Sequence, residues 1–185
     1  MKDSSTLTEA ELIAACTRGD RDAQRLLYER YAPVMYPVCV RYLGREDAKD
    51  MLQDGFLTVF EKIDSYKGEG SFEGWMRKIF VNACLMRIRK GDVLRYTEDV
   101  TESPELGGTV DPGALEQLTT QEILNLIAEL PPRLRTAFNL FVLEGYSHAE
   151  VAEALGMTEP SSRSQVSRAR NLLQQKIKEL YNGKK

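Results

Sequence analysis

Six side chains in the C-terminal quarter carry the densest binding chemistry in the chain: Ser161, Arg163, Ser164, Gln165, Arg168 and Arg170. Short polar groups reach base edges, and guanidinium groups reach both base edges and phosphates. Such a set suits the major groove of duplex DNA. It works only if one element presents it, and the stretch from Tyr146 to Leu180 predicts that element. Ser147, with Glu150 three residues on, is a capping box for a first helix. Val151, Ala152 and Leu155 follow at helical spacing. Gly156 supplies the left-handed residue that ends this helix. Thr158 caps a second helix, with Pro160 tolerated in its first turn. The second helix is expected to bury Val166, Ala169, Leu173 and Leu180, with Leu172 and Ile177 at the edges and Ser162 on the buried side. Ser161, Ser164, Gln165 and Arg168 then face outward, flanked by Arg163 and Arg170, on a face without an acid. This is a helix-turn-helix pattern. A helical hairpin with a merely solvated basic face meets it too.

A second candidate set lies between Asp64 and Lys90. Gly68 and Gly70 give a polar loop backbone freedom, and Tyr66 and Phe72 are its apolar residues. A helix is predicted from about Phe72 to Lys90, with Trp75, Ile79 and Phe80 beside Arg77, Lys78, Arg87 and Arg89. Aromatics beside cations form a platform on which unpaired bases stack while phosphates are neutralised. The alternative is that Trp75, Ile79 and Phe80 are core. A third set, Asp47, Asp50, Gln53 and Asp54, shares one face of a helix predicted over Arg45 to Ile63. Its opposite stripe is Leu52, Phe56, Val59, Phe60 and Ile63. The acidic face is either solvated or a dock for a basic partner.

Catalytic signatures are missing. The sequence has no phosphate-cradling glycine loop with lysine, no nucleophile elbow and no zinc spacing. Its single histidine, His148, has no sequence partner for base chemistry and reads as an exposed helix residue. Cys16, Cys39 and Cys84 are far apart, so neither a disulfide framework nor a metal site is expected. They read as small buried side chains in a reducing cytoplasm. No apolar run approaches the roughly 20 residues of a membrane span, and the polar N-terminus does not resemble a signal peptide.

The 185 residues carry a net charge of -3, distributed unevenly. From Gly74 to Gly91 every charged residue is basic. From Asp92 to Asp111 six acids stand against Arg95 alone, and from Ser161 to Lys178 the chain is basic again. Two polyanion-facing surfaces flanking a segment that avoids them follow from this pattern. Thr8 with Glu11 is a further capping box, and Gly19 ends the helix it opens. A second helix carries Ala23, Leu26, Leu27 and Tyr31. Pro33 and Pro37 punctuate the chain, in first turns or at a kink, before helix resumes up to Gly44. Turn formers dominate from Asp92 to Leu115, then helical signals return at Ile123, Leu126, Ile127 and Leu130. Pro131-Pro132 opens another helix. The expected fold is all-α: two small helical domains, 1–92 and 118–185, joined by a flexible acidic linker, 93–117.

Three ordered segments carry a family resemblance. Asp47 to Phe60 is similar to the core-polymerase-binding segment of the extracytoplasmic-function sigma factors, the two-domain members of the sigma-70 family. Gly68 to Asn82 resembles their promoter-melting segment. Leu130 to Arg135, Gly145 to Gly156 and Ser167 to Arg170 resemble their promoter-reading domain. The resemblance implies a non-enzymatic initiation factor that needs no cofactor. Asp47, Asp50, Gln53 and Asp54 would contact the polymerase clamp, with Phe56 adding apolar contact. Tyr66, Lys67, Ser71, Phe72, Trp75 and Asn82 would hold an unstacked non-template base at the -10 element, and Arg77, Lys78, Arg87 and Arg89 the phosphates. The C-terminal set would read the -35 element. The implied partners are core RNA polymerase, promoter DNA (duplex and non-template single strand) and an anti-sigma factor. Ser161-Ser162 replaces the family's usual Thr-Val, and Val81 and Met86 stand where Arg and Asp are common. A stand-alone helix-turn-helix regulator would instead bind duplex tightly by itself, usually as a dimer on paired half-sites. A helical adaptor that binds no DNA would be indifferent to changes at Arg163, Gln165 and Arg168.

Overall fold

The computed structural model describes residues 7–90 and 118–183. The segment expected to be a linker, 93–117, lies outside them. The described residues form seven helices: α1 (Glu9–Thr17), α2 (Arg21–Lys62), α3 (Phe72–Lys90), α4 (Thr120–Ala128), α5 (Pro132–Phe138), α6 (His148–Leu155) and α7 (Glu159–Gly183). A 3₁₀ turn, Ile63–Ser65, follows α2, and a π turn, Asn139–Leu143, follows α5. The chain divides into two compact units, Met1–Arg87 and Ile88–Lys185.

In the first unit, local chemistry sets the helix starts. The Thr8 hydroxyl accepts from the Glu11 amide at 3.3 Å, and the Glu11 carboxylate accepts from the Thr8 amide at 3.0 Å. This reciprocal box satisfies donors that a helix start leaves open. The Asp20 carboxylate likewise caps α2, accepting from the amides of Asp22 and Ala23. Neither proline stands in a first turn or at a kink. α2 runs through Pro33 and Pro37, and its one non-helical residue is Gly44, at φ 81° and ψ 177°. Each proline removes one rung of the hydrogen-bond ladder. The core on either side holds the helix together: Leu27, Met35, Val38 and Tyr42 are fully buried. Only glycine adopts the Gly44 conformation cheaply, so the kink falls there.

α3 packs so closely on α2 that a Cβ at Gly55 would lie 2.2 Å from the Phe80 ring. Phe56, Val59, Phe72, Met76 and Phe80 close this core at 2 % exposure or less. Each contributes about 1.5–3 kcal/mol of burial. The three thiols are buried. Burial, with Asp20 nearby, pushes the Cys16 thiol up to about 11, which makes it a poor nucleophile.

The second unit has its core between α4, α5 and α7. Leu126, Ile127, Leu130, Leu134 and Phe138 pack with Ala169, Leu173 and Ile177. α4 begins with a third capping box, Thr119 with Glu122, and Pro132 occupies the first position of α5. Leu180, expected in the core, is 38 % exposed, while Ile177, expected at the edge, is buried. Leu180, seven residues after Leu173, keeps the helical register, but Ile177 is the last buried residue of α7 in this core and Leu180 lies beyond it.

Candidate nucleic-acid interfaces

α6 and α7 form the anticipated helix-turn-helix. The Ser147 hydroxyl accepts from the Glu150 amide at 3.2 Å, and the Glu150 carboxylate accepts from the Ser147 amide at 2.7 Å. That backbone amide, with the Ser147 hydroxyl, holds the Glu150 carboxyl below its ordinary value. Gly156 turns left-handed at φ 63°, and the Met157 amide donates back to the Ala152 carbonyl at 3.0 Å. This ends α6 and re-aims the chain. The Thr158 hydroxyl then accepts from the Ser161 amide at 3.3 Å, which starts α7.

α7 turns Ser162, Val166 and Ala169 inward and leaves Arg163, Ser164 and Arg170 exposed; Ser161 and Arg168 are half-buried. Gln165, expected on the outer face, is only 8 % exposed. It follows Ser162 by three residues and precedes Ala169 by four, so it sits at the edge of the inner stripe. The face is also not free of acid. Glu159, the first residue of α7, pairs with Arg163 one turn on.

His148 was expected to be an exposed helix residue. Instead it is half-buried and stacks on Phe141, with ring centroids 3.9 Å apart and planes 13° apart. Its Nδ1 lies 3.0 Å from the Ser162 hydroxyl. A buried hydroxyl costs free energy unless it is hydrogen-bonded, so His148 makes a serine tolerable inside the motif. Desolvation first, then Arg163 and Arg170, lowers the His148 pKa. Arg170 itself sits 5.8 Å over the Phe141 ring.

In the first unit, Tyr66, Phe72 and Trp75 form one aromatic cluster. Phe72 and Trp75 stack at 5.4 Å, and Tyr66 meets them tilted or edge-on at 5.5 and 5.1 Å. The Tyr66 hydroxyl donates to the Gly70 carbonyl at 2.8 Å, which closes the loop. Gly68 and Gly70 adopt φ near 77° there. The Ser71 hydroxyl accepts from the Gly74 amide at 3.0 Å and caps α3. Phe72 has no exposed surface. It is the floor of the cluster and cannot stack on a base as expected, whereas Tyr66 and Trp75 are half-exposed. Lys67, Lys78, Asn82 and Arg87 are exposed, as is Arg89 at the end of α3, past the boundary of this unit. Arg77 pairs with Glu73 at 3.2 Å, and Arg87 with Asp47 at 3.4 Å.

Asp47, Asp50, Gln53 and Asp54 are all exposed on α2. Phe56, expected to offer apolar contact beside them, is 2 % exposed and packs on Tyr28, Phe60 and Phe80. The apolar residue on that face is Leu57, 61 % exposed. Spacing signals it: Leu57 lies three, four and seven residues after Asp54, Gln53 and Asp50, along one helical face. Among the described residues, no three His, Cys, Asp or Glu gather as a metal set, and no helix is long and apolar enough to cross a membrane.

One helical unit thus bears a helix-turn-helix, and the other a basic aromatic surface beside an acidic helix face. The family model of sigma-70 region 2 matches residues 27–93, and that of sigma-70 region 4 matches residues 120–173. The chain is 30 % identical over 184 residues to the ECF RNA polymerase sigma-E factor of Haemophilus influenzae, covering 94 % of this chain and 97 % of that protein. It is 28 % identical over 188 residues to the protein of the same description in Escherichia coli, covering 96 % and 98 %. Among solved structures, the sigma factor RpoE of Bartonella quintana, in complex with the anti-sigma factor NepR, superposes with a TM-score of 0.50 at 24 % identity. That match covers 83 % of this chain and 96 % of that one, and it shows the shared fold. The chain belongs to the ECF sigma factors of the sigma-70 family, initiation factors that direct RNA polymerase to promoters.

Proposed function

We propose a division of labour between an N-terminal module, residues 1–92, and a C-terminal module, residues 118–185, joined by the acidic segment 93–117. The N-terminal module docks on core polymerase through Asp47, Asp50, Gln53 and Asp54, with Leu57 as the apolar contact in place of Phe56. The same module receives the melted -10 strand. Tyr66 and Trp75 stack against an extruded base, Asn82 bonds it, and Lys67, Arg77, Lys78, Arg87 and Arg89 neutralise phosphates. Ser71 and Phe72 act beneath them, as helix cap and aromatic floor. Unstacking one base costs a few kcal/mol, which a pocket of this kind offsets. No bond is made or broken by the protein, so the chain is a binding factor rather than an enzyme and works in the cytoplasm.

The C-terminal module reads the -35 duplex through Ser161, Arg163, Ser164, Arg168 and Arg170. An anti-sigma factor is a further partner, by analogy with the Bartonella quintana complex. The observation that supports this reading best is the exposed acidic face with Leu57 among its carboxylates. A protein that only bound DNA would have no use for such a face beside a basic one. In vitro transcription with purified core polymerase and a genomic promoter library tests it. Start-site-selective RNA is expected only when the chain and the polymerase are both present. Duplex-tight binding by the chain alone, without stimulated transcription, refutes it.

A further inference from the structure

Glu159 is the acid in the first turn of α7, the helix proposed above to face the duplex. The Glu159 carboxylate holds the Arg163 guanidinium, and both side chains are well exposed, at 45 % and 63 %. Glu159, Arg163 and Arg170, spaced by four and seven residues, share one flank of the helix. Phosphates repel a carboxylate there, because duplex DNA carries one charge per about 1.7 Å of axis. One kind of major-groove site rewards it: the cytosine N4 amino group donates to Glu or Asp. In a helix-turn-helix, the N-terminal residues of the second helix are the ones that reach base edges. Glu159 is the first of these.

We propose that Glu159 is a specificity-determining residue of the duplex interface, accepting a hydrogen bond from a cytosine amino group in the cognate site and holding Arg163 in its absence. This rests on the reading of α7 as the duplex-facing helix. At the cognate site the carboxylate turns to cytosine, and Arg163 is released to a guanine edge or a phosphate. On any other sequence the carboxylate either faces phosphates unpaired or stays on Arg163 and withholds a cation. Both outcomes weaken the wrong complex, which raises discrimination by penalising competitors. A pair at this spacing also steadies a helix modestly. That role alone predicts a lower melting temperature on substitution and no change in base preference.

The test is selection from a randomised duplex library by the full chain with core polymerase, comparing wild type with Glu159→Gln and Glu159→Ala. In parallel, the full chain is titrated onto an alternating A·T duplex as the non-cognate probe. Wild type is expected to fix a cytosine at one position, and both variants to lose that preference alone. They should also bind the A·T duplex about two- to fivefold more tightly, the scale of one exposed ion pair no longer opposing contact. A cytosine preference that survives both substitutions, or an unchanged A·T affinity, overturns the proposal. So does a wild-type motif without a fixed cytosine, which leaves the duplex-reading assignment standing. If the wild type selects no motif, both readings fall.

Discussion

Leu57→Ala separates an interface residue from its core neighbour. Leu57 retains 61 % of its surface in the free chain. Fully burying a leucine is worth about 1.5–3 kcal/mol, so covering what remains exposed yields about 1–2 kcal/mol. Alanine keeps part of that gain, which leaves a loss of about 1 kcal/mol, or roughly fivefold in Kd. Stability should change by no more than about 0.5 kcal/mol, because the side chain packs little in the free protein. Phe56→Ala, one residue away, removes a ring clasped by three aromatic neighbours. It should destabilise the first unit by about 3–5 kcal/mol. Titration of a fluorescently labelled chain with core polymerase gives the Kd, and thermal melting gives the stability. A Leu57→Ala chain that binds the polymerase with wild-type affinity would refute the assignment of this face. A Leu57→Ala chain that melts many degrees lower would place Leu57 in the core of the first unit.

Charge reversal at Asp50 or Asp54 to lysine should weaken polymerase binding at least as much as Leu57→Ala and more so at low salt, measured by the same titration at two ionic strengths. Arg168→Ala should weaken duplex binding and reduce the slope of log K against log salt by about one phosphate contact; an unchanged slope places Arg168 elsewhere. Gly55→Ala should cost about 1–3 kcal/mol in chemical denaturation, because its methyl would overlap the buried Phe80 ring. His148 titrates below its ordinary value of 6.5 in the folded chain, so the unfolded chain binds more protons in that window. The second unit should therefore have this contribution in full above pH about 6.5 and lose it as pH falls through the folded value. Melting curves of wild type and His148→Gln over that range should differ in slope.

Features written in adjacent residues were legible in the sequence. The Thr8 and Ser147 boxes and the Gly156 turn require only chemistry within one helical turn, and they stand where spacing put them. Thr119 with Glu122 has the same spelling, but it stands at the end of a turn-rich segment, ahead of the apolar periodicity that begins at Ile123. The prolines misled for the opposite reason. A local rule breaks helices at Pro33 and Pro37, but long-range burial along α2 overrides it; the one interruption is at Gly44, where the sequence does end a helix. At the interfaces, the errors fall at stripe edges. Phe56 and Leu57 differ by one 100° step, and Gln165 sits where inner and outer faces meet. The His148–Ser162 contact spans fourteen residues and a turn, and no spacing rule announces a partner that distant. Buried Phe72 was indistinguishable from half-exposed Trp75, because sequence lists aromatics without saying which one lies underneath.

The Asp47–Arg87 ion pair joins a carboxylate assigned to the polymerase to a guanidinium assigned to the DNA strand. On the proposed assignment, each ligand that claims its own end of that pair releases the other end. Occupying the two sites is therefore thermodynamically linked, and the linkage is reciprocal: the enzyme primes the strand site, and the strand primes the enzyme site to the same degree. The pair is about half exposed, so the coupling is small, about 0.2–1 kcal/mol, and salt erodes it. Even so, it favours the ternary assembly over either binary one.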